Sequence, residues 1–212
     1  LHYMEHSEAA DPRVAIVPLT ENLHLIPSTA HLSLVEGNLR NVHRCEYVLS
    51  EVLSDVLGDY SWVLIDCGPS LSWLTINALT CANFCIIPAN PEPMVAQGIK
   101  QIFTTIASVR KSKLNPNLKV LGVILTDVDR RPTISKLVID DIHEKLGEYV
   151  PVLGEVRHSV RVEEATAQKM LVLQYKRANQ VADAYRQIAR EIAEHGHITD
   201  TARDDKEELQ RF

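Results

Sequence analysis

Short apolar runs alternate with amphipathic stretches along most of this chain, and that alternation constrains the fold more than any other feature. Phe84-Cys85-Ile86-Ile87, closed by Pro88, and Val120 to Thr126 are nearly unbroken in apolar character. Trp62-Val63-Leu64-Ile65-Asp66 is another such run, ending in a carboxylate, and Pro151 to Val156 is a shorter one. Strands read this way when helices cover both faces of a parallel sheet. Between the runs, apolar residues recur at helical spacing. Val42, Cys45, Leu49, Val52, Leu53 and Val56 mark one helix of about four or five turns, stopped by Gly58-Asp59. A second spans Leu71 to Leu79. A third carries Ile99, Ile102, Phe103, Ile106 and Val109 inward, with Lys100, Arg110, Lys111 and Lys113 outward. Ile134, Leu137, Val138, Ile142 and Leu146 mark a fourth, and Val181, Tyr185, Ile188, Ala189 and Ile192 the last. The expected fold is α/β, a mainly parallel sheet flanked by helices on both faces. Ligands of such sheets sit at the carboxyl ends of the strands. That places Asp66, the loop Ala89 to Pro93 and the loop Thr126 to Thr133 on one functional edge.

With 212 residues the chain suits one domain, placed at 1–195, followed by a polar, frayed tail at 196–212. An apolar share of 45% against 24% charged excludes disorder as the default state. The net charge of -6 excludes a protein that coats nucleic acid over its whole surface, and leaves room for a local basic patch. No apolar run approaches the roughly 20 residues that span a bilayer, and Leu1 to Glu8 has no signal-peptide character. Cys45, Cys67, Cys81 and Cys85 form no C-x-x-C pair and are expected to be buried thiols in a reducing compartment. His2, His6, His24, His31 and His43 lack metal spacing and are expected to be solvated.

Asp66 is the first chemical candidate. An acid at the carboxyl end of an apolar strand is how nucleoside triphosphatases hold Mg²⁺ or its water shell; the same residue can equally end the strand or cap the next helix. The usual partner is a phosphate loop, G-x-x-x-x-G-K-[ST], and none of the eight glycines opens one. Neither G-x-G-x-x-G nor G-x-S-x-G occurs, which disfavours dinucleotide binding and a serine hydrolase. Arg130-Arg131-Pro132 and Lys176-Arg177 are short basic clusters, readable as solvated faces or as nucleic-acid contacts.

From Tyr60 to Leu71 the sequence YSWVLIDCGPSL resembles the "YDYIIIDCPPSL" of the ParA/Soj family of partition ATPases. Glu21 to Thr29 is similar to "ENLDLIPST", and Gly122 to Thr133 to "GVLLTMYDSRT". Val160-Arg161 with Glu164-Ala165 resembles "VRLSEA", and Ala182 to Glu191 resembles "GAEAYLELAKE". The likeness runs collinearly over roughly residues 12 to 195.

The resemblance implies a P-loop NTPase-like fold that binds ATP and Mg²⁺ and forms a homodimer on ATP binding. It further implies non-specific binding of double-stranded DNA, regulation by a ParB-like centromere-binding partner, and a cytoplasmic, nucleoid-associated location. Asp66 then matches the acidic residue near Mg²⁺, which it reaches through water. Pro69 keeps one proline of the family's "DCPPS" turn, with Gly68 in place of the other. Arg157-His158-Ser159 falls where relatives carry "PRN", so Arg157 and Ser159 are candidates for the adenine. Lys176, Arg177, Arg186 and Arg190 are the DNA candidates, Arg186 and Arg190 sharing a helix face at i,i+4. The family's "KGGVGKT" loop and "DPQGN" segment have no counterpart in the chain. Loss of an N-terminal phosphate-loop strand is therefore expected, either as truncation or as natural loss in a catalytically inactive binding module. Such a loss should leave apolar strand edges uncovered. A MinD-like division-site ATPase is the alternative within the superfamily. Its membrane-binding basic helix is not matched by Asp204-Asp205-Lys206-Glu207-Glu208, so no membrane partner is expected.

Overall fold

In the computed structural model, which describes residues 11–68, 70–146 and 150–198, the chain separates into two units. One comprises the described residues up to 83 together with 108–118, the other 84–107 with the described residues from 119 onward.

A hairpin absent from the sequence-based expectations opens the first unit. β1 (Val17–Thr20) and β2 (Leu23–Leu25) pair antiparallel across Glu21-Asn22, Val17 standing opposite Leu25. After α1 (His31–Leu39), the single helix predicted over residues 42–56 is broken into pieces. α2 (Val48–Leu53) lies between 3-10 turns at Cys45–Tyr47 and Leu57–Asp59. Arg44 accounts for the late start, because its φ of 57° is left-handed and keeps residues 42–44 out of any right-handed helix. The apolar spacing still works: Cys45, Leu53 and Val56 are buried. α3 (Trp73–Cys81) starts where the Ser72 hydroxyl accepts the Leu74 N–H at 3.2 Å, an N-cap that satisfies an orphan amide. Buried Asn77 ties α2 to α3. It accepts the Leu49 N–H at 3.0 Å and donates to the carbonyls of Cys45 and Trp73 at 2.8 and 3.0 Å.

The segment Trp62 to Asp66 is not the buried strand its composition suggests. It pairs with no strand among the described residues, and Trp62, Val63 and Leu64 are exposed, Leu64 by 84%. An apolar run becomes a buried strand only where a neighbouring strand forms a ladder with it. Two smaller expectations also fail here. Cys67 is exposed rather than buried, and Arg110 is half-buried, its Nε donating to the Leu118 carbonyl at 2.6 Å. His24 is more than a solvated ring: its Nδ1 lies 2.8 Å from the Tyr60 hydroxyl.

The second unit holds the predicted parallel sheet. β3 (Phe84–Ala89), β4 (Lys119–Val128) and β5 (Val152–Arg157) run parallel in that order, with β4 central. Pro88 lies within β3 instead of closing it; β3 is an edge strand of this sheet, where a missing N–H is tolerated. On one face Ile87, Val123 and Leu125 pack with Ile99 and Phe103 of α4 (Val95–Lys111) and with Ile139 and Ile142 of α5 (Thr133–Leu146). After α6 (Val160–Ala167), α7 (Asn179–Ile198) covers the opposite face, Val181 and Ile188 meeting Val156 and Ile124. Both faces are thus covered.

Two helix stripes are rotated from their predicted positions. Ile134 and Leu137 are exposed, the buried row of α5 being Ile139 and Ile142 with half-buried Val138. Tyr185 and Ala189 are exposed on α7, whose buried row is Val181, Ala182 and Ile188. Two glycines permit close approach. A Cβ on Gly122 would lie 2.7 Å from the Pro151 carbonyl oxygen, and one on Gly154 would lie 2.5 Å from Ile188 Cγ1. Of the predicted tail, residues 199–212 lie outside the described residues.

Candidate nucleic-acid interface

β4 ends on an irregularity. The β4–β5 register shifts between Leu125 and Val128, and Asp127 between them takes a left-handed φ of 55°. His158 stitches the strand ends together: its N–H donates to the Val128 carbonyl at 3.1 Å, and its Nδ1 lies 2.7 Å from Asp127 Oδ1. The chain then turns from β4 into α5 and from β5 into α6, where the Ser159 hydroxyl accepts the Arg161 N–H at 3.3 Å and caps the helix.

Between these turns lies a cleft of about 920 Å³. Its wall carries five cations, Arg130, Arg131, Lys136, Arg157 and Arg161, against the two carboxylates of Asp129 and Glu164. Three of the arginines are held by carboxylates. Arg130 donates to both oxygens of Glu155 at 2.8 and 2.7 Å, and Arg131 to Asp129 at 2.6 Å. Arg161 donates to Glu164, whose other oxygen accepts the Tyr175 hydroxyl at 2.8 Å. Hydrogen bonding from the Arg131 side chain holds the Asp129 carboxyl at about 2, well below its usual range. Any stability that Asp129 contributes is therefore present above its ordinary value of 3.8 and is lost as pH falls through about 2. Arg161, then Tyr175, lower Glu164 in the same way. Both carboxylates are charged at neutral pH, and the cleft keeps a cationic excess.

Of the predicted site residues, Arg157 and Ser159 line this cleft. Lys176 and Arg177 are exposed on the 3-10 turn Lys176–Ala178, directly after Tyr175. Arg186 pairs with Asp183 at 2.8 Å and donates to the Leu173 carbonyl at 3.3 Å; Arg190 is exposed one turn further along α7. Asp66 is exposed on the irregular segment after Trp62 in the first unit, and Pro69 lies outside the described residues. Sequence alone does not single out Lys136 and Arg161 as cations of a site, and it leaves Arg130-Arg131 open to two readings. The available signal is position, since Arg130-Arg131 follows the β4 run and Arg161 follows β5.

For a nucleotide and its cation the residues present do not make a complete site. Among the described residues no group of three or more His, Cys, Asp or Glu side chains gathers to hold a metal ion. The sequence contains no phosphate-cradling loop.

A parallel sheet covered on both faces, with its cleft at the strands' carboxyl ends, defines an α/β fold, and the solved structures it resembles are of P-loop NTPase type. Comparison with known proteins agrees. Residues 4–120 match the AAA domain family. The chromosome partitioning protein ParA of Caulobacter vibrioides (strain NA1000 / CB15N) is 39% identical over 172 residues, covering 80% of this chain and 64% of that protein. The sporulation initiation inhibitor protein Soj of Bacillus subtilis (strain 168) is 33% identical over 176 residues, covering 83% and 69%. The solved structure of cobyrinic acid a,c-diamide synthase from Mycobacterium smegmatis with bound ADP and magnesium superimposes with a TM-score of 0.72 at 31% identity, covering 89% of this chain and 69% of that one. The chain belongs to the ParA/Soj family of partition ATPases. It spans just under two thirds of the Caulobacter relative's length. No helix among the described residues is long and apolar enough to cross a membrane.

Proposed function

We propose that this chain acts in chromosome or plasmid partitioning as the DNA-binding body of an ATP-dependent dimeric switch, regulated by a ParB-like partner in the nucleoid-bearing cytoplasm. The observation that carries the proposal is the cationic cleft. Five cations against two carboxylates on one edge of an acidic protein suit a ligand with closely spaced negative charges, and the phosphate backbone of duplex DNA supplies them without sequence preference. Arg131, Lys136 and Arg161 are the proposed phosphate contacts. Lys176, Arg177 and Arg190 extend the basic surface, and Arg186 contributes despite its bond to Asp183. Fluorescence anisotropy with a labelled duplex of about 30 base pairs, long enough for several phosphate contacts, tests the proposal. Binding should fall steeply with salt, by about 0.9 log units of affinity per log unit of salt for each phosphate neutralised, and two unrelated sequences should bind alike. A salt-insensitive or sequence-selective interaction would overturn it.

ATP and Mg²⁺ are proposed as the ligands of the switch. Asp66 would face Mg²⁺ through water, Arg157 and Ser159 would approach the adenine, and Pro69 would shape the turn after Asp66. The 212-residue chain by itself is expected to hydrolyse no ATP, because it has neither the backbone cradle nor the lysine of a phosphate loop. A phosphate-release assay checks this; turnover that persists through purification and disappears in Asp66→Ala would disprove it. In a chimera carrying a phosphate-loop segment ahead of Leu1, Asp66→Ala should abolish Mg²⁺-dependent turnover.

A further inference from the structure

Glu164 stands where three groups converge. One oxygen accepts from the Arg161 guanidinium and the other from the Tyr175 hydroxyl. The charge of Arg177 also reaches this carboxylate and helps to lower its pKa. Tyr175 is itself buried, packed with Ala165 and Ala178, so its hydroxyl is a fixed point rather than a mobile surface group. Tyr175 directly precedes the Lys176–Ala178 turn, while Arg161 and Glu164 share a face of α6 at i,i+3. The phenol therefore links two basic groups that lie far apart in the sequence: the cleft arginine and the Lys176-Arg177 turn.

We propose that Tyr175 is a positioning residue for DNA, holding Glu164 so that Arg161 and Arg177 are set on one continuous track for successive phosphates. The proposal rests on the cleft's role in DNA binding. A long arginine loses rotamer freedom when it engages a phosphate, and a carboxylate anchored from the protein interior removes part of that freedom in advance. Tyr175 serves in this proposal as an anchor for Glu164 and not as a phosphate contact. Its loss should alter the geometry of the track and leave the number of cations unchanged.

Duplex binding by the 212-residue chain, measured by anisotropy in a cycle of Tyr175→Phe and Arg161→Ala, tests this. Tyr175→Phe is expected to weaken binding about threefold, with an unchanged salt slope because no phosphate contact is removed. In the Arg161→Ala background the same change should cost clearly less, since only Arg177 is left to position. Melting temperatures of all four proteins separate positioning from unfolding: the threefold loss should occur with Tyr175→Phe more than nine-tenths folded at the assay temperature. Unchanged binding in Tyr175→Phe, or an equal loss in both backgrounds, overturns the positioning role and leaves the cleft proposal standing. Wild-type binding by Arg161→Ala overturns the cleft contact and the positioning role together.

Discussion

Reversing the charge at Arg131, Lys136 and Arg161 together is expected to lower DNA affinity by roughly a hundredfold or more near 0.1 M salt. The slope of log affinity against log salt should flatten by about 3 units, one 0.9-unit step for each lost phosphate contact. The effect is large because each substitution removes an attraction and adds a repulsion at the same wall of the cleft. Anisotropy titrations at several salt concentrations measure both quantities. Arg161→Glu and Arg131→Glu also set new carboxylates beside Glu164 and Asp129, so circular dichroism melts must accompany the titrations. Equal reversal at Lys176, Arg177 and Arg186 should weaken binding less, because these three residues are not on the cleft wall and only extend its basic surface. Unchanged affinity and slope in a folded Arg131, Lys136, Arg161 variant would remove the cleft from DNA binding.

Gly122→Ala is expected to destabilise the protein by about 3 kcal/mol, which lowers the melting temperature by roughly 6 to 12 °C for a chain of this size. Gly122 sits in the central strand opposite Ile86, and the added methyl would lie 2.7 Å from the Pro151 carbonyl oxygen. That neighbour is backbone at the edge of β5, so relief requires strand β5 to shift as a unit. Gly98→Ala is the matched control. It lies in α4 with nothing within 4 Å of the new methyl, and the better helix propensity should stabilise by about 0.5–1 kcal/mol. Thermal melts of the two variants read the difference directly; a Gly122→Ala protein as stable as wild type would show that β5 moves aside easily.

Much of the second unit is legible in the sequence because its elements carry their own periodicity. The Val120 to Thr126 run and the Ile99, Phe103, Ile106 stripe each describe their surroundings locally: one is covered by helices on both faces, the other presents a single face. The errors arise where local pattern does not decide. Trp62 to Asp66 has the composition of a buried strand, but burial is a property of the neighbours, and no strand pairs with it among the described residues. The helix expected over 42–56 has sound spacing, yet left-handed Arg44 delays its start to Cys45, and Cys45, Leu53 and Val56 still face inward. The cleft is visible in the sequence only in fragments. Arg130-Arg131 and Arg161 belong to separate turns, and only parallel pairing of β4 with β5 brings those turns to one edge. Glu155, the counter-charge of Arg130, reads in sequence as an ordinary strand residue.

The pairing of the cleft arginines with carboxylates has a consequence for the size of ligand they select. A single phosphate ion that engages Arg131 must compete with Asp129, and one that engages Arg161 must compete with Glu164, so each encounter gains little. A polymer meets the same competition at its first contact. Its next phosphate then arrives at a high effective concentration, fixed by the spacing along the backbone. Local counter-ions thus set a minimum chain length below which nothing is retained. Small cellular anions, abundant as they are, would pass through the cleft, and retention would begin where several phosphates are covalently joined.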